Sequence, residues 1–142
     1  MELQDNKTHD KLIHSSEFLG DIIQSIAKSP SVIAIILYGS AARMRTNPLS
    51  DIDLCVVTLP GLSHDEWETI MSHTGPALDL VLFQDLPPSI RYRAIRDGKV
   101  LFNRNATFLH RIKADTLRQY LDLKPFIDKN ARRILTRLVL HS

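Results

Sequence analysis

The chain has 142 residues, 44% of them apolar and 24% charged, with a net charge of +2. That length fits one domain with one real core, and the composition is that of a globular soluble protein. No apolar run approaches a membrane span, the first residues lack the basic-then-apolar layout of a signal peptide, and the single cysteine, Cys55, has no partner for an internal disulfide, so a cytoplasmic protein is expected.

In chain order, residues from about His9 to Lys28 place Leu12, Phe18, Leu19, Ile22, Ile23 and Ile26 at helical spacing. Lys28-Ser29-Pro30 stops this helix, because a residue before proline avoids helical geometry. Val32–Tyr38 (VIAIILY) is almost wholly apolar and rich in β-branched residues, the pattern of a buried strand. Gly39-Ser40 ends it, Ala41–Met44 begins a short helix, and the stretch 45–50 (RTNPLS) is loop chemistry. Asp51–Thr58 reads as a second strand. Ser63, followed three residues later by Glu66, is a capping box that opens a helix to about His73. Ala77–Phe83 (ALDLVLF) is a third strand, Pro87–Asp97 a helix stopped by Gly98, and Lys99–Phe102 a short fourth strand. Two amphipathic helices follow, about 106–122 and 125–139, divided at Pro125. The expected class is α/β (α+β): a small mixed sheet of about four strands flanked by helices, in one domain spanning 1–142, with its core at about 30–105 and C-terminal helices at about 106–140.

Three acids stand out. Asp51 and Asp53 lie two apart on one strand, so their side chains share a face while Ile52, Leu54 and Val56 face the other way. Neighbouring carboxylates repel; a hard divalent cation such as Mg²⁺, which favours carboxylate and phosphate oxygens, removes the repulsion. Asp79 interrupts an otherwise apolar strand and can face the first two across the sheet. Three carboxylates can hold two metal ions about 4 Å apart, the arrangement used for in-line phosphoryl or nucleotidyl transfer. Gly39 permits a tight turn and close backbone approach, Ser40 adds a hydroxyl, and Arg43 a charge for phosphates. The bland alternatives are a β-turn with a serine cap and a surface acid on an edge strand.

Gly39-Ser40, ten residues, then Asp51-Ile52-Asp53 resembles the Gly-Ser-x10-Asp-x-Asp motif of the DNA polymerase beta-like nucleotidyltransferase superfamily. The short length, the GSAAR stretch and SDIDL are most similar to the minimal nucleotidyltransferases, or MNT proteins. One departure is Met44, where many relatives carry glycine. The resemblance implies a nucleotidyltransferase fold in which Gly39, Ser40 and Arg43 bind the nucleotide and Asp51, Asp53 and Asp79 are catalytic and hold two Mg²⁺ ions, with ATP as substrate. It further implies an antitoxin paired with a helical HEPN toxin, to whose hydroxyl AMP is transferred. Two alternatives remain: a non-catalytic module of the same fold that neutralises the toxin by binding it, and transfer to a small molecule or RNA end.

Charge is unevenly spread. Residues 1–90 carry five basic and twelve acidic residues, and residues 91–142 carry thirteen basic and four acidic ones. A basic half beside an acidic one suits a phosphate-bearing substrate, an acidic protein or, less favoured, a nucleic acid; solvated faces of C-terminal helices explain it equally well. Leu138-Val139-Leu140 is either partner contact or the last turn of a core helix. Arg104–His110 superficially matches the HEPN ribonuclease motif, but too little chain follows for a helical bundle. No histidines form an HxxxH pair, so a zinc site is unsupported; Cys55 reads as a small packed residue and Trp67 as core or partner contact.

Overall fold

The computed structural model describes residues 17–39 and 52–140. Its elements are α1 (helical over 17–27), β1 (Val32–Tyr38), β2 (Ile52–Thr58), α2 (His64–Met71), β3 (Leu78–Leu82), α3 (Pro88–Asp97), β4 (Lys99–Asn103) and α4 (Ala106–Leu140). A single 3-10 turn, Phe83–Asp85, links β3 to α3. The proposed helix at Ala41–Met44 and the loop at 45–50 lie outside the described residues.

The sheet order is β3-β2-β1-β4. β1 runs antiparallel to β2 and to β4, and β2 runs parallel to β3, so the sheet is mixed, as expected. Because β2 and β3 are parallel, a crossover must join them; α2 supplies it, and the sheet is consequently buried on both faces. On one face Ile35, Leu54, Val56, Leu78 and Leu80 pack with Ile26 of α1 and Ile70 of α2. On the other Ala34, Ile36, Cys55 and Val57 pack with Ala94 of α3 and Leu109 of α4. A register shift between Val32 and Ala34 puts both Ile33 and Ala34 on the second face, an irregularity that the all-apolar run of β1 could not announce.

Local chemistry explains the joints. Ser63 caps α2 by accepting from the Glu66 amide at 3.1 Å, and its hydroxyl donates to Glu66 Oε1 at 3.1 Å. Glu66 also accepts from the Ser31 hydroxyl; that bond first, and Ser63's next, hold its carboxyl below the usual range. The Arg104 guanidinium donates to the carbonyls of Ser29 and Val32, each at 2.8 Å, and to that of Ala27. One cation thus closes the end of α1 and the turn into β1, which accounts for the arginine of the discounted HEPN-like stretch. Gly98 has no room for a side chain: a Cβ there would lie 2.2 Å from the Ala94 carbonyl oxygen and 2.7 Å from Ile36 Cγ2, so α3 ends hard against β1.

The two C-terminal helices expected on either side of Pro125 are one, Ala106–Leu140, with Pro125 inside it. Proline removes one amide donor and crowds the carbonyl four residues back, here that of Leu121. On an exposed stretch water can satisfy that carbonyl, and the helix formers on both sides keep the rest of the ladder, so the helix continues. Its first turns are packed: Leu109 and Thr116 are each 4% exposed. The Tyr120 ring stacks on Tyr92 of α3, centroids 3.8 Å apart, with the Arg96 guanidinium 5.4 Å from the Tyr92 centroid. Beyond this stack the helix is exposed throughout.

Candidate active site

The site lies at the end of the sheet where β1 finishes and β2 and β3 begin. Tyr38 is registered against Asp53, and Asp53 against Asp79, so the three residues form a row across three adjacent strands. In-register neighbours on parallel strands point to the same face, and strands lie about 4.8 Å apart, so the two carboxylates are side by side. The face is the α3/α4 face, since Cys55 and Val81, each two residues further along, belong to that core. Asp53 is half-buried and Asp79 exposed, giving one anchored acid and one that a ligand can reach.

Gly39 follows directly. Its φ is +76°, a conformation that side-chain-bearing residues rarely adopt, and a Cβ there would stand 2.6 Å from Asp53 Oδ2. The turn backbone and the Asp53 carboxylate are therefore in contact, and only glycine allows it. The Tyr38 phenol registers the same convergence: its pKa is pushed up to about 12, by burial first and then by the negative charges of Asp53, Cys55 and Asp79. Burial alone pushes the Cys55 thiol up to about 12, which makes it a packed residue and a poor nucleophile, as expected.

Of the residues singled out in the sequence, Gly39, Asp53 and Asp79 come together. Ser40, Arg43 and Asp51 lie outside the described residues. Among the described residues no three His, Cys, Asp or Glu side chains form a metal-binding group; the described donors are the Asp53–Asp79 pair. Two adjacent carboxylates suit a hard divalent ion, all-oxygen and charge-compensating. Sequence reasoning passed over Tyr38. Its place directly before Gly39 is legible in the sequence, but its register opposite Asp53 comes only from the fold.

A family model described as polymerase beta, nucleotidyltransferase matches residues 20–107. The chain belongs to this family. The match spans α1 to the start of α4 and contains every residue of the site. A Methanocaldococcus jannaschii chain, provisionally named a protein adenylyltransferase, is 35% identical over 71 residues, which is 50% of this chain and 56% of that one. The chain thus matches little more than half the length of this relative. Among solved structures, a chain from a toxin–antitoxin crystal structure with AMP-PNP superposes with a TM-score of 0.66 at 20% identity, over 81% of this chain and 97% of the other. A chain from the complex of tri-AMPylated Shewanella oneidensis HEPN toxin with MNT antitoxin gives 0.60 at 18% identity, over 84% and 94%. These likenesses establish the nucleotidyltransferase fold. Among the described residues no helix is long and apolar enough to cross a membrane.

Proposed function

We propose that this chain is an Mg²⁺-dependent nucleotidyltransferase that moves AMP from ATP to a hydroxyl of a partner protein, and that it acts in the cytoplasm as the antitoxin of a HEPN toxin. The observation that carries this is the in-register Asp53–Asp79 pair, with Asp53 set against the Gly39 turn. The similarity to a chain named a protein adenylyltransferase, and the shared fold with a chain from the complex of an AMPylated HEPN toxin with MNT antitoxin, support the choice of acceptor. In this reading residues 1–142 work as one nucleotidyltransferase unit.

Each residue has a part. The Gly39 backbone and Ser40 hydroxyl hold the triphosphate, and Arg43 adds charge to it. Asp53, fixed by contact with the Gly39 turn, orients the cluster that Asp51 and Asp79 complete. The acceptor oxygen attacks the α-phosphorus, the bond to pyrophosphate breaks, and the hydroxyl proton passes towards Asp79. When bound between the three acids, two Mg²⁺ ions would polarise the α-phosphate and neutralise the leaving pyrophosphate. The protein's own contribution is positioning and charge.

The test is to incubate the chain with the protein encoded beside it, ATP labelled at the α-phosphate, and Mg²⁺. Label is expected on the neighbour, and Asp53→Asn or Asp79→Asn should reduce it roughly a hundredfold or more. Both variants should stay folded, since each removes a repulsion. A tight complex that never acquires label would overturn transfer in favour of neutralisation by binding alone.

A further inference from the structure

Between α3 and α4 lies a pocket that shares no residue with the candidate active site. It encloses about 340 Å³ and is lined by Ser89, Tyr92, Arg93 and Arg96 of α3 and by Tyr120 and Ile127 of α4. The four α3 residues stand at i, i+3, i+4 and i+7, the spacing of one helix face. Ala94, on the other side of that helix, is buried in the core, so the pocket looks away from the sheet. Its lining is one-sided in charge. Two guanidinium groups, a serine hydroxyl and two phenols contribute to it, and no carboxylate does. All five polar groups can donate hydrogen bonds. The two tyrosine rings are parallel to within 2°, with centroids 3.8 Å apart. A neighbour that touches both rings of such a pair meets their edges, and ring edges carry the positive end of the quadrupole. The aromatic floor therefore favours negative charge and supplies none.

The two arginines differ. Arg96 is clamped: its Nε and one Nη donate to Asp97 Oδ1 and Oδ2, each at 2.9 Å, and its guanidinium stands 5.4 Å from the Tyr92 centroid. A guanidinium held in this way is preorganised and keeps further N–H donors for a ligand. Arg93 is exposed, and among the described residues it has no ion-pair partner. Asp97 offsets one of the two charges; the other has no compensation within the pocket. An adjoining pocket shares Tyr92 and Arg96, adds Lys113 and His110, and again has no carboxylate in its lining. Donors that arrive from two helices suit a tetrahedral oxyanion with several acceptor oxygens. A carboxylate offers two oxygens in one plane, and a single guanidinium satisfies it.

We propose that the pocket between α3 and α4 is a binding site for a phosphate group, separate from the Gly39 turn. Arg96 and the Ser89 and Tyr120 hydroxyls receive the oxygens, and Arg93 closes over them. Inorganic phosphate and the phosphate of a nucleoside monophosphate share this chemistry, and the experiment separates the two.

The probes are inorganic phosphate, AMP and, as a carboxylate control, acetate. Each is titrated without Mg²⁺ into the isotope-labelled full-length chain, and binding is read from the NMR amide shifts of residues 89–96 and 120–127. Phosphate should move these amides, and acetate should bind roughly tenfold more weakly or not at all. Arg93→Glu should weaken phosphate by roughly tenfold or more. Arg93→Lys should fall between, because an ammonium cannot chelate two oxygens. Tyr120→Phe keeps the ring stack, removes one donor and should weaken phosphate by roughly threefold to tenfold. Arg93 is exposed, so its variants should keep the melting temperature of the parent. AMP that binds no better than phosphate supports a site for the phosphate group alone; AMP that binds roughly tenfold tighter supports a site for a nucleotide. In either case the shifts must be lost with Arg93→Glu and kept with Asp53→Asn. No response to phosphate, acetate binding as tightly as phosphate, or shifts that survive Arg93→Glu would overturn the proposal.

Discussion

The two halves of α4 share a helix and an amphipathic pattern, yet they live in different environments. Leu109 and Ile112 pack into the core with the sheet, and buried Thr116 returns its hydroxyl to the Ile112 carbonyl at 2.7 Å. Leu135 and Leu138, on the same helix, are more than 60% exposed. Helical periodicity records that a face is apolar; it does not record whether the cover comes from the same chain. The first half is packed against its own chain, and the second stands exposed.

Four measurements would break or sharpen this contrast. The largest effect should follow Leu109→Ala, which empties a packed site and should cost about 2–5 kcal/mol in urea unfolding. Alkaline pH should also act on the body. The Cys55 thiol is held protonated to about 12 in the folded chain, against an ordinary value of 9.0. The folded state therefore keeps its proton longer than the unfolded one, so stability is complete below pH 9 and falls as pH climbs towards 12. Tyr38, raised from 10.0 to about 12, adds to the fall in the upper part of that window. Unfolding midpoints measured across pH 8–12 check this, and Cys55→Ala should flatten the lower part of the curve. Gly39→Ala comes next, at about 1–2 kcal/mol for the left-handed backbone, with a loss of transfer beyond it because Asp53 must move. Ile134→Ala should be smallest, within about 0.5 kcal/mol, with the melting temperature of the body unchanged. A large destabilisation from Ile134→Ala would dissolve the contrast between the halves.

Much of the body was legible beforehand. The apolar run of β1 and the alternation of β2 carried their own boundaries, and Ser63-x-x-Glu66 gave the start of α2. The mixed order of the sheet needed one inference more: a helix between Thr58 and Leu78 implies a crossover, hence a parallel pair. Asp79 was legible because a charge in an apolar strand is costly without a purpose, and the register confirms that it stands beside Asp53. The continuity of α4 was not legible. Proline signals a break through local sterics alone, and its outcome depends on whether the freed carbonyl reaches water. The bulge near Ile33 was hidden for a related reason, because a wholly apolar strand has no alternation to disrupt. Tyr38 was missed because its importance is electrostatic and arises only when three strands are aligned.

The Arg104 clasp has a mechanical consequence. This one guanidinium sits at the root of α4, just after β4, and grips three carbonyls at the joint where α1 hands over to β1. The same strand ends at Tyr38 and delivers Gly39 to Asp53. Any load placed on the exposed half of α4 is thus passed to the strand that shapes the Gly39 turn, through a joint that this side chain helps to hold.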